Sequence, residues 1–212
     1  MKPIYIFSGL GADERVFKNL DWSGFAVTFI TWIPPTSGET IEKYARRLGQ
    51  QITQEKPVLI GLSFGGIMAV EVAKLIPTEK VILIASAKTR QEIPFYYRLA
   101  GQLRLHKLLP TAWMKRPTVL SNWFFCTHSK ADRQLLATIL RETDPAFLSW
   151  AIDQIVTWTH QTPTPNLIHI HGQADRILPF RYVKGAIPVV GGGHFMTINK
   201  AEELTSLLRS LL

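Results

Sequence analysis

The chain has 212 residues, of which 46% are hydrophobic, and it carries a formal net charge of +8. This length suits one well-buried core and is short for two domains. The apolar run near the N-terminus is too short for a signal peptide, and no stretch approaches the length of a membrane span. The single cysteine, Cys126, rules out an internal disulfide. We therefore expect a one-domain cytoplasmic protein.

Short apolar runs alternate with helical patterns along the chain, which is typical of a parallel sheet covered on both faces. The predicted strands are 3–8, 25–32, 57–61, 80–85, 166–171 and 186–190. Outside the long interval between the fourth and fifth strands, the predicted helices are 40–54, 65–76 and 199–212, with Asn199 as the cap of the last one. The pattern predicts an α/β fold of three layers, α/β/α, around a mostly parallel, roughly six-stranded sheet.

The interval 86–165 is too long for a structureless loop in a compact domain. Helical patterns occupy 94–109, 111–125 (broken by Pro117) and 129–142, and another helix begins at Asp144-Pro145. Ser129 starts its helix with a Ser-x-x-Asp cap. We predict a core of residues 1–85 and 166–212, with 86–165 inserted as a helical cap over the strand ends, where open α/β sheets bind their ligands.

The positive charge is concentrated near the start of this cap. Seven bases and one acid lie between Lys88 and Arg116, which gives +6 of the total +8. A basic face of this kind attracts nucleic acid, anionic lipid or an acidic carrier protein, or it is only a solvated surface. We expect no nucleic-acid partner, and an acidic acyl carrier protein docking on the cap is left as a hypothesis.

A candidate nucleophile lies between the third strand and the helix that follows it. The segment reads Gly61-Leu62-Ser63-Phe64-Gly65-Gly66. Gly-x-Ser-x-Gly in a strand-turn-helix context predicts a nucleophile elbow, and the helix N-terminus favours an anion beside Ser63. An ordinary turn also uses glycine-flanked serines, but the strand and helix on either side favour the elbow.

Two backbone N–H groups are candidates to stabilise an oxyanion. Phe64 follows the serine directly and would supply one of them. The second would come from Leu10, in the glycine-rich loop that follows the first strand. A plain chain reversal would need the same glycines, so this loop allows both interpretations.

These features resemble the α/β-hydrolase superfamily over nearly the whole chain, specifically a small serine esterase-like member with a helical cap. In that family an acid follows the strand after the cap, and a histidine precedes the last helix. Here those positions match Asp175, in His171-Gly172-Gln173-Ala174-Asp175, and His194, in Gly191-Gly192-Gly193-His194. The resemblance implies a catalytic triad of Ser63, Asp175 and His194, in the chain order that this fold uses.

The sequence departs from the family pattern at two places. Ser8-Gly9 stands where many relatives have His-Gly, in the loop expected to supply the second oxyanion donor. Only eighteen residues separate Asp175 from His194, so the helix usually found between them must be very short or absent. Taken singly, Asp175 is also a good turn former, and His194 could be only a polar loop residue.

The resemblance implies a carboxylesterase or thioesterase that works through an acyl-enzyme on Ser63. An acyltransferase or a carbon-carbon bond hydrolase on the same triad stays open, as does a protein of this fold that only binds. No cofactor is expected, because the sequence has no Rossmann fingerprint or phosphate loop. Aromatic residues of the cap favour an apolar acyl substrate, although most of them should pack in the core. They are Trp113, Trp123, Phe124, Phe125, Trp150 and Trp158.

A metal site is the alternative from another chemical class. His169 and His171 alternate onto one strand face, with Asp175 and His194 further along the chain. The aspartate lies four residues after the second histidine, whereas His-x-His-x-Asp-His metallohydrolase segments place it two residues after. We therefore expect no metal, and we expect His169 to be a hydrogen-bonded core residue. Cys126 is expected to be an inert core thiol.

Overall fold

The computed structural model describes residues 2–108 and 110–212. Six parallel strands form one sheet in the order β2-β1-β3-β4-β5-β6. The strands are β1 (Pro3–Phe7), β2 (Ala26–Ile30), β3 (Val58–Leu62), β4 (Lys80–Ile84), β5 (Leu167–Gly172) and β6 (Ile187–Val189). Each strand lies inside its predicted range or is shifted from it by one residue. The predicted fold class, a six-stranded parallel α/β sheet, is confirmed.

Helices cover both faces of this sheet. They are α1 (Ile41–Leu48), α2 (Phe64–Ala73), α3 (Phe95–Gln102), α4 (Thr111–Met114), α5 (Val119–Phe125), α6 (Lys130–Glu142), α7 (Pro145–Thr157), α8 (Met196–Asn199) and α9 (Ala201–Leu211). Side chains of β1 alternate between two cores: Phe7 packs in one cluster with Tyr44 of α1, and Ile6 packs in the other with Leu204 of α9. This alternation produces the three layers.

The helices α3 to α7 lie between β4 and β5, in the predicted interval. Ser129 caps α6 through a reciprocal capping box with Asp132, and Asp144 caps α7 with Pro145 at its first position, as the sequence predicts. The break at Pro117 separates α4 from α5. The division into a core and a separate cap stays a prediction.

Some helix boundaries differ from the predicted ones. Asn199 does not cap the last helix: it ends the short α8, and its side chain donates a hydrogen bond to the carbonyl of Cys126 at 3.0 Å. This tertiary contact holds the side chain through its Nδ2 donor, and Lys200, not Asn199, occupies the cap position of α9. The predicted helix 94–109 ends at Gln102, and Arg104 follows with a left-handed φ of 55°. Leu109, the last residue of the predicted helix, lies outside the described residues.

Among residues 2–108 and 110–212, no helix combines the length and the apolar character needed to cross a bilayer. The cytoplasmic location stays a prediction from the sequence.

Candidate functional site

Ser63 occupies the sharp turn between β3 and α2. Its backbone has φ 53° and ψ −122°, a left-handed conformation that costs a non-glycine residue free energy. Two contacts with β4 and its extension hold the turn: the Ser63 N–H donates to the carbonyl of Ile84 at 3.0 Å, and the Ser86 hydroxyl donates to the Ser63 carbonyl at 2.7 Å. The surrounding sheet therefore fixes the strained serine.

Gly61 and Gly65 allow this turn because the chain passes too close for side chains. A Cβ on Gly61 would overlap the backbone of Gly65 and Gly66, and a Cβ on Gly65 would overlap the carbonyl oxygens of Phe7 and Ser8. Backbone atoms of β1, its following loop and α2 cannot move aside as a flexible side chain would. The spacing Gly-x-Ser-x-Gly is thus a steric requirement of this turn.

Ser63, His194 and Asp175 form one hydrogen-bonded chain. The Ser63 Oγ lies 2.8 Å from Nε2 of His194, and Nδ1 of the same ring lies 2.8 Å from Oδ2 of Asp175. Both His194 and Asp175 are buried. These residues come from the β3–α2 turn, the loop before α8 and the loop after β5. The structure therefore brings together three side chains that the sequence spreads over 132 positions.

The Asp175 carboxylate also organises its own loop. Its Oδ1 accepts from the backbone N–H groups of Ile177 and Leu178, both at 2.9 Å, while Oδ2 faces His194. Burial raises the pKa of this carboxyl, but the charge and hydrogen bond of His194 and the neighbouring donors outweigh burial and leave the pKa below its usual value. Asp175 therefore both forms the turn and hydrogen-bonds to His194.

Leu10 and Phe64 line the same cavity as Ser63 and His194. Phe64 is the first residue of α2, so its N–H has no acceptor within the helix. The Leu10 loop lies against the elbow, since a Cβ on Gly9 would be 3.8 Å from the Ser63 Cβ. Both amides therefore belong to chain segments that border the serine.

Ser8, which stands where many relatives carry histidine, has a structural task in this loop. Its buried hydroxyl donates to the carbonyl of Ala12 at 2.6 Å, and Trp32 Nε1 donates to the carbonyl of Gly9 at 3.2 Å. These two hydrogen bonds close the turn that carries Leu10.

Two further histidines lie behind Asp175. His171 donates from Nε2 to the Leu178 carbonyl at 2.7 Å and lies 3.5 Å from Asp175 Oδ2. Its Nδ1 is 3.2 Å from Nε2 of His169, so the two rings share a hydrogen bond. Both are buried, and His169 is the hydrogen-bonded core residue that the sequence predicts.

Burial dominates the ionisation of this pair. Desolvation, reinforced by the charges of His171 and Lys88, lowers the pKa of His169 to about 2. Desolvation also lowers the pKa of His171, although Asp175 opposes it. Both rings are therefore neutral near pH 7. Within the described chain, no three His, Cys, Asp or Glu side chains are grouped as metal ligands.

An apolar cavity of about 350 Å³ opens onto Ser63 and His194. Its walls come from both the sheet side and the inserted helices, and they include Ile67, Ile93, Tyr97, Leu148, Ile155 and Val156. A volume of this size is within the usual range of small-molecule sites. The candidate triad therefore lies at the edge of an apolar cavity.

Sequence reasoning missed Tyr97, a polar residue of this cavity. Burial, together with Tyr96 and the charge of Asp175, raises the pKa of its phenol to about 12. The sequence could not assign Tyr97 to the cavity, because the helical pattern of α3 does not show which of its faces packs beside α7 there. The Cys126 thiol is buried, and burial raises its pKa, which agrees with an inert thiol.

The predicted packing of the cap aromatics is only partly correct. Trp150 packs against Tyr44 with ring centroids 4.3 Å apart, and Trp158 is buried with its Nε1 donating to Glu71 at 2.7 Å. Trp113 and Trp123, in contrast, are exposed. Their helices α4 and α5 are short and turn one side to solvent.

Solved structures support the same fold at low sequence identity. A malate-bound thermophilic esterase from Thermogutta terrifontis aligns over 99% of this chain and 89% of its own, with TM-score 0.64 and 19% identity. A bromoperoxidase from Bacillus anthracis aligns over 99% of this chain and 91% of its own, with TM-score 0.68 and 16% identity. An esterase from Exiguobacterium antarcticum aligns over 99% of this chain and 91% of its own, with TM-score 0.65 and 16% identity. No curated protein is a significant match.

The sequence also matches the model of a protein family over most of its length. Residues 6–206 match the model described as the alpha/beta hydrolase family. That span includes every candidate site residue and all of the sheet except the first three residues of β1. The chain belongs to the alpha/beta hydrolase family.

Proposed function

We propose that this protein is a serine hydrolase that cleaves a carboxylic ester or thioester through an acyl-enzyme on Ser63. The observation that carries the proposal is the chain of 2.8 Å hydrogen bonds from Ser63 through His194 to Asp175, at the edge of an apolar cavity. Family membership supports a hydrolase in general terms. Nucleophile, base and orienting acid are the parts that acyl transfer needs.

In the first step the Ser63 oxygen attacks the carbonyl carbon of the substrate. Asp175 is a carboxylate and accepts the hydrogen bond from Nδ1–H of His194, which leaves Nε2 free to take the serine proton. The imidazolium that forms lies beside the Asp175 charge and is stabilised by it. His194 is thus proposed as the general base and Asp175 as its orienting acid.

The negative charge of the tetrahedral intermediate needs donors near Ser63. We assign the backbone N–H groups of Leu10 and Phe64 to this oxyanion hole. The Phe64 N–H begins α2, whose N-terminus carries about half a positive charge and stabilises an anion there. Preorganised donors of this kind cost no reorganisation during the reaction.

Collapse of the intermediate expels the alcohol or thiol, which takes the proton from His194. The acyl group then remains on Ser63 as an ester. A water molecule gives its proton to His194 and attacks the same carbonyl, and the second collapse returns the proton to Ser63 and releases the acid. Side chains and water supply every proton, so the mechanism needs no metal or cofactor.

The cavity supports an apolar acyl group of short to medium length. Its walls are mainly aliphatic and aromatic, and its volume is about 350 Å³. Apolar walls bind a hydrocarbon chain by removing its surface from water, about 25 cal/mol for each Å². Two structurally similar proteins are themselves named esterases, which agrees with this substrate class.

A panel of acyl esters and thioesters of graded chain length tests the proposal. We expect a maximum at short to medium chains and a loss of kcat of about a thousandfold or more in Ser63→Ala. Ser206→Ala, which removes an exposed hydroxyl on α9, is the matched control and should leave the rates unchanged. Full activity in a folded Ser63→Ala would overturn the proposal.

A further inference from the structure

Exposed apolar side chains are concentrated in one part of the chain. Of the twelve large hydrophobic residues exposed within 2–108 and 110–212, ten lie between residues 95 and 123, here called the 95–123 surface. Leu108 is 77% exposed, Trp113 65% and Val119 87%. Single exposed apolar residues are common on proteins, but concentrations of them mark interaction sites.

Helix α3 shows how this surface arises. Phe95, Leu99 and Leu103 recur every four residues, so they form one stripe along the helix, and all three are exposed. The opposite face is packed: Gly101 lies so close to the Val156 backbone of α7 that a Cβ would overlap it. The helix therefore packs against α7, and its apolar stripe faces the solvent.

The charge of the same segment has one sign. No Asp or Glu occurs in residues 93–131, whereas the bases Arg98, Arg104, Lys107, Lys115, Arg116 and Lys130 do. Arg104 and Arg116 are exposed and alternate along the chain with the exposed apolar residues. Lys107 pairs with Asp153 of α7 at 3.3 Å, whereas the exposed Arg104 and Arg116 have no acid in this segment to oppose their attraction to an anionic surface.

The 95–123 surface adjoins the candidate site. Tyr97 and Met114 lie within this segment and line the cavity at Ser63. Met114 also lines a second groove of about 770 Å³, together with His106 and Lys107. The helices that carry the exposed residues thus form part of the cavity wall.

We propose that the 95–123 surface binds the face of an anionic lipid membrane. Each base at the headgroup level strengthens binding to an anionic membrane about fivefold. Aromatic and aliphatic side chains enter the boundary between headgroups and acyl chains. Trp113 and Trp123 have the amphipathic rings that favour this depth. An acidic acyl carrier protein would also pair with the bases, and the experiment below distinguishes it from lipid.

Vesicle flotation tests this binding with the full chain. Vesicles of phosphatidylglycerol and phosphatidylcholine in equal parts should bind the protein, and raising the salt concentration should weaken binding. Vesicles of phosphatidylcholine alone should bind it much less. Ser63→Ala should bind as well as the wild type, because the proposal does not depend on the proposed chemistry.

Charge variants distinguish binding through the bases of this surface from binding through the overall charge of +8. Replacing Arg104 and Arg116 with Gln should weaken binding to the anionic vesicles about thirtyfold, since each base contributes about fivefold. Replacing Lys43 and Arg46 with Gln, two exposed bases on α1, removes the same charge elsewhere and should have little effect.

Apolar variants test insertion in the same way. Leu108→Ser with Trp113→Ser should weaken binding about tenfold or more, because both side chains lose their burial in lipid. Leu75→Ser with Val190→Ser alters the two exposed apolar residues outside the segment and is the control.

Three results would overturn the proposal. They are no binding to anionic vesicles, equal losses in the test and control variants, and binding to an acidic acyl carrier protein with none to lipid.

Discussion

Asp175 has two sets of partners, and they separate its structural contribution from its proposed catalytic one. Oδ1 holds the loop through two backbone N–H groups, and Oδ2 faces His194. An asparagine can keep the acceptor for the loop, but it cannot stabilise a positive ring or select its tautomer. The chemistry should therefore suffer far more than the fold.

Asp175→Asn is expected to lower kcat by about a thousandfold or more, with a smaller change in KM. Steady-state kinetics on the best ester, together with a urea unfolding curve, checks this. Asp153→Asn is the matched control, because Asp153 pairs with His106 and Lys107 away from the triad. Equal losses in the two variants would contradict the assigned role of Asp175.

Dialysis against a chelator provides a second test at the residue scale. The proposed mechanism takes its nucleophile and its base from Ser63 and His194, so activity should survive chelation unchanged. Loss of activity, with recovery on adding zinc, would instead favour a metal held by His169 or His171.

Ser63 and its partners were predictable because their signals are local or depend on chain order. A glycine pattern between a strand and a helix marks the turn, and parallel strands bring Asp175 and His194 to the same edge of the sheet. Strand alternation predicts that His169 and His171 share one face of β5, and the structure adds the hydrogen bond between their rings. The place of Tyr97 depends on how α3 meets α7, which no local pattern encodes.

The elbow between β3 and α2 gives a prediction at the scale of an element. Gly65→Ala should destabilise the protein by about 3 kcal/mol or more, because the new methyl group meets backbone carbonyls of the sheet rather than a movable side chain. Urea unfolding measures this as a lower midpoint.

Gly49→Ala is the matched control for the elbow. A Cβ there would make only ordinary contact with Val72 at 3.8 Å, and the backbone φ of −62° suits alanine. Its stability should be unchanged or higher by up to about 1 kcal/mol. A Gly65→Ala variant as stable as Gly49→Ala would show that the elbow is not under this steric constraint.

At the element scale, strands were predicted better than helix ends. Buried parallel strands are continuous apolar runs, and that signal is independent of their neighbours. Helix ends depend on contacts with other parts of the chain: Asn199 bonds to Cys126 instead of capping α9, and α3 stops before the left-handed Arg104. Only the caps made by nearby residues, as in α6 and α7, were predictable.

For the whole molecule, the buried neutral histidines predict how stability depends on pH. The pKa of His169 falls to about 2 on folding, and that of His171 is also lowered. Below about pH 6.5 the unfolded chain therefore binds protons that the folded protein does not, and the free energy of unfolding decreases as the pH falls. Each such group contributes a slope of up to about 1.4 kcal/mol per pH unit.

Chemical denaturation between pH 7 and pH 5 measures this slope. His169→Gln keeps a donor near the position of Nε2 but does not titrate. The free energy of unfolding of this variant should therefore change less steeply with pH, by the contribution of about one histidine. The exposed His128 provides the control, because His128→Gln should keep the wild-type slope. Identical slopes in all three proteins would contradict neutral burial of His169.

Active-site labelling followed by peptide mapping tests whether Ser63 is the nucleophile that becomes acylated. A fluorophosphonate probe should add one label to the wild type, and the label should map to Ser63. Labelling should disappear in Ser63→Ala and persist in Ser206→Ala. A folded wild-type protein that takes no label, or takes it at another residue, would show that Ser63 is not the nucleophile.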